Sequence, residues 1–190
     1  MLETKRLILR KFETNDTKAL FEILSDKIVN HFLPWYVFES LEQTKVHLKD
    51  FYLQTNQNKD FYRYAICLKE DNKPIGYLHF HNNHDNNDFG YAIKKEFWNQ
   101  GLISEAAKKL IEKLKEDKIP YITATHDVKN IASGKVMHKL NMCYQYSYEE
   151  LWQPKNIKVI FRLYQLNLDE NKERVYRGYL EKYPHFIEQF

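Results

Sequence analysis

Apolar and polar side chains alternate from the start of the chain. Across residues 4–11, Leu7 and Leu9 are spaced by Arg6, Ile8 and Arg10, a period of two that predicts a strand. Asn15 or Asp16 can then cap a helix whose Ala19, Leu20, Ile23 and Leu24 share one face. The stretch 31–38 is too aromatic, and too broken by Pro34, for a clean helix. Ser40 followed by Gln43 reads as a capping box for a second helix running to about residue 57. Runs 61–68 and 75–80 predict strands joined by a polar turn over 69–74, hence a hairpin. A polar loop over 81–88 leads to a further strand at 89–93.

The clearest helix spans 101–116. Leu102, Ile103, Ala106, Ala107, Leu110, Ile111 and Leu114 make one apolar stripe opposite lysines and glutamates. Pro120 separates it from a short strand at 121–125, and 130–140 reads as a short helix with Ile131, Val136, Met137 and Leu140 apolar. Runs 142–148 and 158–166 predict a closing antiparallel pair. In the extension 167–190, Val175, Tyr179 and Tyr183 fall at helical spacing, which predicts a docked terminal helix. The order βααβββαβαββ predicts a single α/β (α+β) domain, a central mixed, mostly antiparallel sheet flanked by helices.

Composition narrows the class. At 190 residues and 43% apolar the chain can bury one sizeable core. Its 29 basic and 26 acidic residues are scattered, so no basic stripe argues for nucleic acid. No apolar run reaches the about 18 residues of a membrane span, and Glu3, Lys5, Arg6 and Arg10 interrupt any leader-like N-terminus. The expectation is a cytoplasmic protein without membrane or nucleic-acid partners, a monomer or homodimer. Cys67 and Cys143 lie in apolar-rich stretches without metal-type spacing and read as buried thiols. There are only five glycines, which excludes a multi-glycine dinucleotide fingerprint, and no P-loop ending is present.

One of those glycines, Gly101, opens the strongest helix directly after a strand and turn. Unpaired N–H groups of a first helical turn, and the positive end of the helix dipole, suit an anionic ligand approaching a residue without a Cβ. The segment Asn99-Gln100-Gly101-Leu102-Ile103-Ser104-Glu105-Ala106 closely resembles the pyrophosphate loop of the GNAT acetyltransferases. Trp98 and Ile103 depart from that family's general pattern. Both resemble the branch that acetylates ribosomal-protein N-termini. Downstream, Asn130-Ile131-Ala132-Ser133 and Lys139-Leu140-Asn141-Met142 are similar to a second element of the branch, with Asn141 in place of a glycine. Asn is the next best residue for a left-handed helix cap.

The resemblance covers about residues 2–166, with 1–166 taken as the acetyltransferase domain, and implies acetyl-CoA as donor and an amine, possibly a protein N-terminus, as acceptor. It places the pyrophosphate on the backbone of Gln100, Gly101, Leu102, Ile103 and Ser104, and the pantetheine arm along strand 89–93. It puts an oxyanion-steadying N–H near Ala92 or Ile93, Asn130 beside the pantetheine or a water, and Lys135 or Lys139 near the adenosine phosphate. Many family members carry a tyrosine acid where this chain has Met137; in the resembling branch Ser133 lies near the sulfur. Glu150, and after it Glu149, match the branch's base, and Asp88 is a further candidate. Gly90 falls in the strand expected to face the donor; for Gly134 a close approach of the cofactor is the only suggestion.

His79, His81 and His84 are spaced for metal, but no carboxylate or cysteine completes a set, and they read as solvated loop histidines. His126 reads as an ordinary strand-end histidine. Residues 32–36 face the acceptor or cap the core. No metal is expected. The competing reading is a non-catalytic acyl-CoA-binding module on the same fold.

Overall fold

The computed structural model describes residues 1–82 and 86–189. Its strands form two antiparallel sheets. In the first, β1 (Leu2–Glu3), β2 (Leu7–Arg10), β3 (Phe61–Leu68), β4 (Pro74–His81) and β5 (Phe89–Ile93) lie side by side in chain order. The second holds β6 (Tyr121–Asp127), β7 (Cys143–Trp152), β8 (Ile157–Asn167) and β9 (His185–Phe186), in the spatial order β6-β8-β7-β9. The mixed sheet expected from sequence is thus divided. Among the described residues its parallel part is one bridge, Asp88 with Thr123, beyond which the edges of β5 and β6 part.

The first sheet is buried on both faces. Leu7, Leu9, Ile66, Leu78 and Ile93 pack on Leu102, Ala106, Leu110 and Leu114 of α3 (Leu102–Glu116), the stripe read from sequence. The alternate residues Ala65, Cys67, Tyr77 and Ala92 pack on Leu20, Ile23 and Leu24 of α1 (Thr17–Leu24) and on Leu48 and Tyr52. Ser40 Oγ accepts the Gln43 N–H at the start of α2 (Leu41–His47), while Gln43 Oε1 takes the N–H of Glu39. The helix continues as a wider turn over Leu48–Leu53 and stops short of residue 57.

Asparagine stands in for the scarce glycine. Among the described residues, left-handed φ values occur at Gly101, at Asn72, Asn87, Asn99, Asn141 and Asn156, and at Lys118. At the end of α4 (Ile131–Lys139), Asn141 has φ 58°, and Met142 and Asn141 donate back to Met137 and His138 at 3.1 and 3.0 Å. This is the closing pattern of a left-handed cap.

The extension 167–190 differs from its prediction. Its helix, α5, covers only Gly178–Lys182; Tyr183 before Pro184 is extended, and β9 then pairs with Ser147 and Tyr148 of β7. A residue preceding proline is driven out of helical geometry. Tyr176, Tyr179 and Tyr183 pack on the cluster of Tyr146 and Tyr148. Of the cysteines, Cys67 is buried and Cys143, at the outer start of β7, is exposed. Among the described residues no helix is long and apolar enough to cross a membrane.

Candidate active site

A cleft of about 1700 Å³ opens where the two sheets part. That exceeds the roughly 300–1,000 Å³ of an ordinary ligand pocket and gives room for two ligands end to end.

Gly101 heads α3 at one end of the cleft with φ 74°, and a Cβ built on it would meet nothing nearer than Arg6 Nη2 at 4.0 Å. The space beside its backbone is open. The N–H groups of Leu102, Ile103 and Ser104 belong to the first helical turn, which has no intrahelical acceptors, and all three residues line the cleft. Gln100 is exposed outside this lining, its side chain donates to Glu96 O at 2.9 Å, and its carbonyl accepts from Arg6 at 3.1 Å.

Two residues that sequence reading did not assign hold this loop. Glu105 accepts from Thr4 Oγ1 at 2.5 Å, from the Arg6 N–H at 3.0 Å and from Arg6 Nε at 2.7 Å. Burial alone would raise its pKa, but these bonds and the Arg6 charge outweigh that and hold it below the usual carboxylate range. Trp98 donates its indole N–H to Ile93 O at 2.9 Å and so pins the loop to the end of β5.

Along β5, Lys94 donates its N–H to Ile75 O of the neighbouring β4 segment. Because N–H groups alternate sides along a strand, Ala92 also points its N–H toward β4. The N–H groups of Tyr91 and Ile93 point to the open edge. Of the pair named for the oxyanion, Ile93 turns its N–H to the open edge and Ala92 does not, though Ala92 lines the cleft.

Across the cleft, Asn130 Oδ1 caps α4 by accepting the Ser133 N–H at 3.2 Å, which uses one of that oxygen's two lone pairs. Ser133 Oγ lies 2.8 Å from the hydroxyl of Tyr91, a contact between the two walls that the sequence did not reveal. Burial, partly offset by that bond, pushes the Tyr91 phenol up to about 12, so it stays protonated near neutrality. Met137, in the place of the family tyrosine, is buried in the core. Lys135 and Lys139 line the cleft as exposed side chains.

Gly90 and Gly134 each make room for a histidine ring. A Cβ on Gly134 would meet the His126 ring at 3.0 Å, and one on Gly90 would collide with the His79 ring. His126 is 4% exposed, with Nδ1 2.8 Å from Asp127 O, and burial lowers its pKa. His79 stacks near Tyr77 and is lowered to about 4 by burial, then by Arg63. His81 stacks on Phe61 with centroids 4.1 Å apart. Neither is a solvated loop histidine, and His84 lies outside the described residues. Among the described residues no three His, Cys, Asp or Glu side chains gather as a metal set.

At the other end lie Asp88 and Glu150. Burial raises the Asp88 carboxyl to about 6. Glu149, one residue from Glu150 on β7, is exposed outside this lining, as strand alternation requires, and its N–H pairs with Pro184 O at 2.9 Å. Phe32, Leu33, Pro34 and Trp35 line the cleft, and Leu33 and Trp35 also pack on the α1–α2 core.

A family model for the acetyltransferase (GNAT) domain matches residues 6–142. The chain belongs to the GNAT acetyltransferases. Among its relatives, an uncharacterized N-acetyltransferase, YnaD, of Bacillus subtilis (strain 168) is 30% identical over 144 residues, which are 74% of this chain and 81% of YnaD. A GNAT-family acetyltransferase structure from Bacillus anthracis superimposes with a TM-score of 0.76 at 27% identity, covering 89% of this chain and 99% of that one. RimL, a ribosomal L7/L12 alpha-N-protein acetyltransferase solved in complex with coenzyme A, shares the fold with a TM-score of 0.76 at 22% identity, over 88% and 97%. The GNAT fold accounts for the parted sheets, and an open backbone at Gly101 above a free helical turn fits a pyrophosphate.

Proposed function

We propose that this chain transfers an acetyl group from acetyl-CoA to a primary amine by direct attack in a ternary complex. One observation carries the reading: a single cleft has an anion-accepting helix N-terminus at one end, cation-accepting carboxyls at the other, and a strand edge between them. The complex of RimL with coenzyme A supports the choice of donor.

Acetyl-CoA supplies the activated acyl thioester. Gly101, Leu102, Ile103 and Ser104 hold its pyrophosphate by backbone N–H groups, with Lys135 or Lys139 at the adenosine phosphate. The open N–H of Ile93 steadies negative charge developing on the carbonyl oxygen. An amine arrives as an ammonium and must lose a proton; Asp88, raised toward neutrality, and Glu150 are the acceptors in reach of that end. Ser133, held by the Asn130 cap and by Tyr91, donates a hydrogen bond at the sulfur. A protein N-terminal amine, the target for which RimL is named, is one acceptor within this class.

The buried Met137 favours a second reading, an acyl-CoA-binding module without turnover. Release of free thiol from acetyl-CoA over a panel of amines separates the two. Transfer requires release that depends on the amine; tight binding without release on any amine supports the module. Ser133→Ala should lower kcat by about tenfold or more while leaving the acetyl-CoA Kd within about twofold.

A further inference from the structure

We infer that the acceptor is a small primary amine attached to an apolar, ring-bearing body and lacking a carboxylate beside the amine. The inference rests on the acetyl-transfer reading and concerns the acceptor end of the same cleft.

That end is roofed. The loop between α1 and α2 is fastened to the tip of the β7–β8 hairpin: Lys155 Nζ donates to the carbonyls of Asn30 and His31 at 3.2 Å each, and the Tyr36 hydroxyl donates to Pro154 O at 3.2 Å. Within the loop, Trp35 donates its indole N–H to Asn30 Oδ1 at 3.0 Å. This strap ties the two halves together beside His31, Leu33 and Trp35 of the lining, and an extended polypeptide, which needs a groove open along its length, would have to pass it.

The remaining wall comes from the C-terminal segment. Tyr176, Tyr179, Lys182 and Tyr183 line the cleft. Tyr148 stacks on Tyr179 with centroids 4.7 Å apart and on Tyr183 at 5.3 Å, and Trp152 meets Phe161 edge-on at 5.1 Å. This wall is fixed at both ends. Arg174 grips Asp169 at 2.8 and 2.7 Å before it, and the Tyr146 hydroxyl donates to Tyr176 O at 2.8 Å. After it, Glu188 accepts from Arg162 at 2.9 and 2.5 Å, and β9 joins β7.

Rings therefore surround a floor whose charged groups, Asp88 and Glu150, are acids that act on the Tyr148 and Tyr179 phenols. Aromatic faces and carboxylates both favour a cation. The rings also reward an apolar body, at roughly 25 cal/mol per Å² buried, whereas a carboxylate next to the amine would face Asp88 and Glu150. Lys182 sits at the rim against Tyr183, 5.0 Å from its centroid.

The test compares phenethylamine and tryptamine with phenylalanine, spermidine and an octapeptide bearing a free N-terminus, by thiol release from acetyl-CoA. The arylalkylamines should exceed each of the others in kcat/KM by about tenfold or more. Tyr179→Ala should raise the arylalkylamine KM about tenfold with the acetyl-CoA Kd unchanged, and Tyr179→Phe should stay within about threefold of wild type. The peptide, spermidine or phenylalanine matching the arylalkylamines would overturn the inference and leave acetyl transfer standing, as would an unmoved KM in folded Tyr179→Ala. Binding of acetyl-CoA without release on any of these amines would instead overturn the transfer reading itself.

Discussion

Asp88 joins a local charge to the behaviour of the protein with pH. Its folded pKa of about 6 lies above that of a carboxyl in water, and burial is the cause. Folding therefore favours the protonated form. The destabilisation from ionising Asp88 is absent below the unfolded pKa, grows as pH rises through that of the folded state, and is complete above it. Asp88→Asn should accordingly raise Tm relative to wild type at pH 7.5, with the gap closing toward pH 4. If Asp88 accepts the amine proton, the same variant should also lose the acidic limb of kcat/KM centred near pH 6. A Tm difference that ignores pH would dismiss the buried-carboxyl account, and a retained limb would move the base to Glu150. Sequence reading named Asp88 as a further candidate for the base but said nothing of its surroundings. Its raised pKa depends on which distant residues crowd it, and no local pattern encodes that. The same holds for Tyr91, whose role follows from a contact with Ser133 across the cleft.

Elements were legible where one local rule governed them. The strands at 61–68 and 89–93 lie where their runs predict, since turn residues bound both. The stripe of α3 and the cap at Asn141 are equally local in origin. The extension was misread because tyrosines at helical spacing also suit a strap that packs on another sheet, and Pro184 decides between them. The division of the sheet was hidden because pairing partners are not written in either strand alone. At the loop opening α3 the sequence reading leads to a direct test. Gly101→Val would place a β-branched side chain at φ 74°, where strain is about 1–2 kcal/mol, and would fill the space that a phosphate needs. Isothermal titration should show the acetyl-CoA Kd raised about tenfold or more in a variant with native circular dichroism. Unchanged affinity would remove the loop from donor binding.

At the scale of the whole molecule, the two sheets meet through the Asp88–Thr123 bridge and through one shared core cluster, where Ile122, Ala124 and Tyr164 of the second sheet join Leu7, Leu78 and Ile93 of the first, and the cleft lies along the open part of the seam between them. A ligand seated between β5 and β6 ties the halves together. Saturating acetyl-CoA at a hundredfold above its Kd contributes about 2.7 kcal/mol, which for a chain of this length corresponds to a Tm rise of about 5–10 °C. Differential scanning calorimetry with and without the donor measures it, and a shift below about 1 °C would mean that the folded protein does not bind the donor. The parted edges have another consequence. Tyr91 and Ile93 present main-chain groups outward, and a strand edge of that kind is a template for a strand from another chain. Occupancy by the donor then acts as a guard against self-association, and the protein should scatter less light on warming when its supply of acetyl-CoA is ample than when it is starved.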